Sequence, residues 1–367
     1  MIFLKKILKK KWTLKTIKKV DIIVFHNQNL IFLNKFNFIN YDNSKLFLIY
    51  SFEVLLKYFN QIFSEKKLTF SQIYHYTLLK KYDCKVAIGH DRGESIFMFK
   101  KMFPKKISIA YQFGYWFNSR IKMGLELLNN KTTDYYLVFD ERTKKLSESK
   151  LKSKYIISGS IQNNEKKTPN KNKKFDFMLI STFRANMQET EEKKHVVNYL
   201  GFVLSTLSEF CNKNKKSFCI AGVYTRKDKK NNPLEYFNQE KSFYKKNAQN
   251  FEIGQEDAFN LADQSEVCIC THSNLGYQLL SRGKKVIFLN TEEDLFTWHF
   301  IEENHEGKFW HKGRNKFAIF KKFEEILRMS NKNWAEILKN SNTAIKFDPG
   351  NKILEELLYK ILYTKNI

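Results

Sequence analysis

The sequence predicts an α/β protein built as two Rossmann-like halves. Short apolar runs alternate with stretches of helical spacing along the chain, the pattern of a parallel sheet covered by helices on both faces. The alternation is interrupted once, by the polar stretch GSIQNNEKKTPNKNKK at 159–174, and then restarts. The length of 367 residues suits two domains at roughly 150 residues each.

Taken in order, residues 2–19 set Ile2, Leu4, Ile7, Leu8, Trp12, Leu14 and Ile17 among lysines, which reads as a basic amphipathic helix. Strands are expected at 20–25, 45–49, 84–89, 107–111, 135–139 and 154–157, with helical spacing at 53–63, 71–81 and 96–102. Beyond the polar stretch, strands are expected at 177–180, 217–221, 267–270 and 285–289, and helices at 193–212, 239–247, 275–281, 320–328, 333–340 and 353–362. The expected division is an N-terminal lobe at 1–158, a linker at 159–174, a second lobe at 175–345 and a C-terminal helix within 346–367. In open α/β sheets ligands sit beyond the carboxyl ends of strands where strand order reverses, so residues just after the strands are the candidates for chemistry.

Composition narrows the function classes. Hydrophobic residues make up 43% of the chain and aromatics 16%, enough to fill two cores and exclude wholesale disorder. The net charge is +26, yet only 8 of 64 basic residues are Arg. Specific readers of bases and phosphates favour Arg, whose planar fork binds bidentately. The lysines also run along the whole chain rather than clustering with exposed aromatics, so no nucleic-acid partner is expected. An anionic membrane surface remains a candidate partner of the basic N-terminus. The five cysteines, Cys84, Cys211, Cys219, Cys268 and Cys270, include no C-x-x-C and read as reduced, buried thiols of a cytoplasmic protein. No apolar run reaches the roughly 18 residues needed to span a bilayer. The eight histidines show no metal-ligand spacing, and H-E-x-x-H and D-x-D are both absent, so no metal or bound cofactor is expected.

The sharpest local pattern is VCICTHSNLGYQLLSRGKKVIFLN at 267–290. An apolar strand runs into the polar turn Thr271-His272-Ser273-Asn274, and Gly276 follows in the first turn of a helix that ends at Arg282-Gly283. Free N–H groups at such a helix start, beside Ser and Asn side chains, suit a phosphate. The same residues also serve as an ordinary N-cap through Ser273 or Asn274. The absence of G-x-x-x-x-G-K-[ST] excludes P-loop chemistry.

The run S-x-L-G-Y-x-x-L-x-R-G-x-K-V-x-F-x-N resembles the donor-site strand–loop–helix of the bacterial surface carbohydrate biosynthesis proteins. These are GT-B-like glycosyltransferases related to the Kdo and CDP-glycerol transferase groups. Three weaker matches lie in the expected order: ISIAYQFG at 107–114, LISTFR at 179–184 and FDPGNKIL at 347–354. The chain departs from the pattern at Asn274 and Gln278, where the family usually has Thr and Glu. Gln278 bonds hydroxyls without bringing a charge.

The resemblance implies a GT-B-like fold, with two Rossmann-like lobes, a cleft between them and a C-terminal helix returning toward the first lobe. It implies donor contacts from Ser181, Thr182, Arg184, Gly222, Arg226, His272, Ser273, Asn274, Leu275, Gly276 and Gln278. Arg184 would meet a nucleotide phosphate or pair with Glu189 or Glu191, and Arg226 would do so or join the basic loop of Lys227, Lys229 and Lys230. On the acceptor side, Asp91 matches the family's post-strand Asp as general base, with His90 and Glu94 in reserve. Asp91 is equally placed to pair with Arg92 or cap the next helix.

The implied function is an inverting, metal-independent glycosyltransferase of surface polysaccharide or lipopolysaccharide synthesis. It would move Kdo or another acidic sugar from a CMP donor to a glycan or lipid-linked glycan at the inner face of the cytoplasmic membrane. Transfer of glycerol- or ribitol-phosphate from a CDP donor is the alternative on the same fold, and a non-catalytic, basic nucleic-acid-binding protein is the alternative from another class.

Overall fold

The structure is a computed structural model that describes residues 11–13, 16–25, 30–41, 45–47, 50, 53–54, 56–58, 69–165, 173–185, 191–224, 233–291, 297–341 and 345–364. The chain divides into two compact units.

The first unit takes Met1–Phe113, Leu125–Glu165 and Gly350–Ile367. Its main sheet holds β2 (Ile22–Phe25), β3 (Phe38–Tyr41), β5 (Val86–His90), β6 (Ile107–Tyr111), β7 (Lys131–Val138) and β8 (Leu151–Ile157) in the order β3-β2-β5-β6-β7-β8. Every neighbouring pair is parallel. The strands form because their β-branched and aromatic runs bury on both faces, as the fully buried IIVF of β2 shows. Helix α1 (Phe70–Tyr82) starts at a capping box between Thr69 and Gln72, and α2 (Glu94–Met102) follows β5. Helix α3 (Asn118–Leu128) runs across the unit boundary, and α4 (Glu141–Ser147) is capped by Asp140.

The core packs Ile22, Val24, Val86, Ile88, Ile109 and Leu137 against a helix from the far end of the chain. That helix, Lys352–Tyr363, presents Leu354, Leu358 and Leu362 at a four-residue interval, one apolar stripe facing inward. Its entry turn is fixed by positive φ at Gly350 and Asn351, and the Asn351 amide donates to the Ile161 carbonyl and to Glu165.

Two sequence expectations are corrected here. Lys11–Thr13, expected within an amphipathic helix, form strand β1, which pairs in parallel with β4 (Lys45–Phe47). The rest of that expected helix lies partly outside the described residues. The stretch at 159–174, expected to be a linker, is ordered at its start. Ser160 caps the short α5 (Ile161–Asn164), and the Asn164 amide donates to the Ser158 carbonyl and to Asn351. Asparagine-rich sequence reads as loop, but these amides serve as buried cross-links.

The second unit takes Gly114–Gly124 and Lys166–Pro349. Its sheet holds β9 (Phe175–Ile180), β10 (Phe218–Ala221), β11 (Glu252–Ile253), β12 (Ser265–Cys270), β13 (Lys285–Asn290), β14 (Glu306–Gly307) and β15 (Trp310–Lys312). The order is β11-β10-β9-β12-β13-β15-β14, and only the β14–β15 edge is antiparallel. The covering helices are α6 (Glu191–Asn214), α7 (Leu234–Asn247), α8 (Ala258–Asp263), α9 (Asn274–Ser281), α10 (His299–Glu303), α11 (Lys316–Arg328) and α12 (Asn331–Asn340), and the C-terminal helix of the first unit is α13. Residues 114–124, expected in the N-terminal lobe, belong here because Tyr115, Trp116 and Phe117 are buried in this unit. All five cysteines are free and buried. Among the described residues, no helix is long and apolar enough to cross a membrane.

Candidate functional site

In the second unit the chain runs β9, β10, β11 outward on one side, then returns to place β12 on the other side of β9. The crevice beyond the carboxyl ends of β9 and β12 is therefore the switch point of the sheet. The sequence puts Ser181 and Thr182 directly after β9, and Thr271, His272 and Ser273 directly after β12. The structure brings these two loops together. Thr182 Oγ1 lies 3.1 Å from Thr271 Oγ1, and Ser181 Oγ accepts from the Phe183 N–H at 3.1 Å.

Ser273 caps α9, its Oγ accepting the Leu275 N–H at 3.3 Å, while the Gly276 N–H donates to the Ser273 carbonyl. Gly276 is a packing requirement: a Cβ there would stand 2.4 Å from Cys270 Sγ, so only glycine lets the helix sit on the strand end. Leu275 and His272 are half-buried, and Gln278 is buried within α9. Burial pushes the Cys270 thiol up to about 12, which leaves it an inert floor to the loop. Gly222 follows β10 and is buried, Arg184 is exposed and donates to the Phe183 carbonyl at 2.9 Å, and Arg226 lies outside the described residues, as does Glu189.

Three features of this site were missed from sequence. The Asn274 Oδ1 accepts the Tyr115 N–H at 3.0 Å, so its side chain anchors the 114–117 segment. Trp298, in a stretch to which sequence assigns no role, is fully buried and donates its indole N–H to the Thr271 carbonyl at 2.7 Å. It also packs on Tyr115 and Tyr277, and the Tyr115 hydroxyl meets His299 Nδ1. Glu240 on α7 accepts the N–H groups of both Val223 and Tyr224. The clustering of aromatics at 115–117 and 298–300 was the only available signal, and it lacks periodicity.

In the first unit, β3 lies on one side of β2 and β5 on the other, so the switch point falls beyond β2 and β5. Asp91 stands there as the first residue after β5. It is buried, one carboxylate oxygen accepting the Phe113 N–H at 3.1 Å and the other the Tyr136 hydroxyl at 2.7 Å. Desolvation pushes its pKa up to about 6 against the opposing pull of these two donors. Gly93, not Asp91, is the N-cap of α2, and Arg92 lies over the Phe113 ring at 5.4 Å. His90 is half-buried against Tyr111 and Phe113. Glu94 is largely exposed and pairs with Lys131 at 2.6 Å, the geometry of a surface ion pair. Among the described residues no group of three or more His, Cys, Asp or Glu is placed to hold a metal ion.

Residues 121–362 match a protein family described as "putative O-antigen biosynthesis protein". The chain belongs to this O-antigen biosynthesis family. No curated protein matches it. Among solved structures, UDP-GlcNAc 2-epimerase from Neisseria meningitidis, bound to UDP-GlcNAc, is similar at 12% identity, covering 94% of this chain and 100% of that one with a TM-score of 0.53. The S. aureus MnaA–UDP structure is similar at 10% identity, covering 96% and 98%, with a TM-score of 0.51. A chain of the GtfA/B complex matches at 10% identity and a TM-score of 0.47, covering 82% of this chain, which spans 62% of its length. The fold of this O-antigen biosynthesis protein is thus GT-B-like, two parallel-sheet Rossmann-like α/β domains, and its family places it in surface carbohydrate biosynthesis.

Proposed function

We propose that this O-antigen biosynthesis protein is a glycosyltransferase that moves a sugar from a nucleotide donor to a glycan or lipid-linked acceptor on the cytoplasmic side of the membrane. The observation that carries the reading is the switch point of the second unit, where the Thr182–Thr271 hydroxyl pair and the Ser273-capped start of α9 adjoin. A helix start with its positive dipole end and backbone N–H groups stabilises a departing nucleotide phosphate as charge develops on it. Thr182, Thr271 and Ser273 add hydroxyls around that position, and Arg184, exposed shortly after Thr182 in the chain, supplies a cation.

On the acceptor side, Asp91 is the base of this reading. A carboxylate titrating at about 6 is largely ionised near neutral pH yet holds a proton better than an ordinary Asp, the compromise general-base catalysis favours. The reaction is direct displacement at the anomeric carbon with inversion: the acceptor oxygen bonds to that carbon, its proton passes to Asp91, and the glycosidic phosphate oxygen leaves with the bonding pair. The donor nucleotide of the reading is CMP, following the resemblance of 273–290, with an acidic sugar such as Kdo.

A thermal-shift screen with CMP, CDP, UDP and GDP tests this. A ligand at 100 times its Kd adds about 2.7 kcal/mol of stability. Stabilisation by CMP alone is the expected result. A response confined to UDP or GDP overturns the donor, and no response to any nucleotide overturns the function.

A further inference from the structure

Glu240 is wholly buried on α7, yet its carboxylate faces the loop that leaves β10 beside the switch point. One oxygen accepts the Val223 N–H and the other the Tyr224 N–H, both at 2.7 Å, and the Tyr244 hydroxyl donates to the first at 2.6 Å. Two successive backbone N–H groups converging on one carboxylate form an anion nest, here filled from within the protein. Burying a carboxylate is expensive unless its oxygens are met by donors, and charge-assisted bonds this short are the strong kind. The fold keeps that charge where an apolar contact would close the core, and the product is one defined conformation for Gly222–Tyr224.

The loop so fixed has a particular chemistry. The Val223 and Tyr224 N–H groups point at Glu240, so these two are unavailable to a phosphate. Tyr224 is half-buried, its hydroxyl accepting the Ala185 N–H at 3.4 Å and its ring standing edge-on to Phe183 and Tyr236. β10 lies two strands from β12, about 10 Å at the usual strand spacing, which matches the reach of a nucleotide from its phosphate to its base. We propose that Glu240 is a positioning residue for the nucleoside end of the donor, holding the Gly222–Tyr224 loop so that it meets the base and ribose while the start of α9 meets the phosphate. This rests on the nucleotide-donor reading above.

The test measures binding of CMP, UDP and inorganic pyrophosphate by calorimetry to the full chain and to Glu240→Gln, with Tyr244→Phe as a milder second variant that removes one donor and leaves the carboxylate. Each variant is first shown to be folded by thermal denaturation. The expected result is at least a tenfold loss of nucleotide affinity in Glu240→Gln and a two- to threefold loss in Tyr244→Phe, with pyrophosphate affinity unchanged in both. An equal loss for nucleotide and pyrophosphate marks a general structural role and overturns the inference, as does unchanged nucleotide binding. Should Glu240→Gln not fold, Tyr244→Phe decides alone on the same criterion. If the unaltered protein binds neither CMP nor UDP, the donor reading and this inference fall together, which distinguishes that failure from the others.

Discussion

Asp91 and Gly276 show how much a single position carries. For Asp91 the folded pKa of about 6 stands above the ordinary 3.8. Between those values the folded protein binds the proton more tightly than the unfolded chain, so raising the pH from about 4 to 6 withdraws stability, and above 6 the withdrawal is complete. Asp91→Asn has no such titration and keeps an acceptor for the Phe113 N–H. Urea midpoints at pH 4 to 7 should therefore show the variant gaining on the unaltered protein through that window, by up to about 3 kcal/mol; parallel curves would place Asp91 in water. Its turnover should vanish while nucleotide binding persists, and retained turnover would remove Asp91 from the chemistry. For Gly276 the contact is steric: Gly276→Ala drives a methyl to 2.4 Å from Cys270 Sγ and should destabilise by about 1–3 kcal/mol despite the better helix propensity of Ala. Cys270→Gly combined with it should restore part of that loss in a double-mutant cycle, and strict additivity would show that the two do not touch.

At the scale of elements, the strands that build both switch points were legible because each is a short, compact apolar run: β2, β6 and β10 fall within the expected stretches, and β5, β9, β12 and β13 overlap theirs but extend past an end. So was the Ser273 helix start, since cap, glycine and apolar spacing are local signals. What escaped reading depends on distant partners. Glu240 sits in the polar run Gln239-Glu240-Lys241-Ser242, which reads as solvent-facing surface, and nothing local shows that two N–H groups of another loop converge on it. Tyr115, Phe117 and Trp298 show no periodicity because the first two pack on Trp298 from a segment far away in sequence. Lys11–Thr13 became a strand because Lys45–Phe47 offered an edge, against the helical spacing of its own neighbours. Helix α13 tests the same dependence from the other direction. Its Leu358 is fully buried in the core of the first unit although it lies near the end of the chain. Leu358→Ala should cost about 2–5 kcal/mol in urea unfolding, whereas Tyr363→Ala on the exposed face of the same helix should stay within about 0.5 kcal/mol. Equal effects would mean that the helix does not dock through its leucine stripe.

For the molecule as a whole the dominant long-range feature is charge. Surface ion pairs such as Lys174–Glu252 and Lys19–Asp83 are exposed and individually worth little. Against 64 basic residues the chain has 38 acidic ones, so even complete pairing leaves a net +26 to repel itself in the compact state. Added salt weakens both terms, but the Debye length falls to about 10 Å at 0.1 M and about 3 Å at 1 M, so repulsion summed over many distant lysines is screened more than contacts at 3 Å. The two effects have opposite signs on stability, and the unmatched charge decides which wins. The melting temperature should therefore rise as sodium chloride goes from 20 to 500 mM, most of the gain arriving below 150 mM. A flat or falling curve would mean that local pairing, not net charge, governs the electrostatics of the fold.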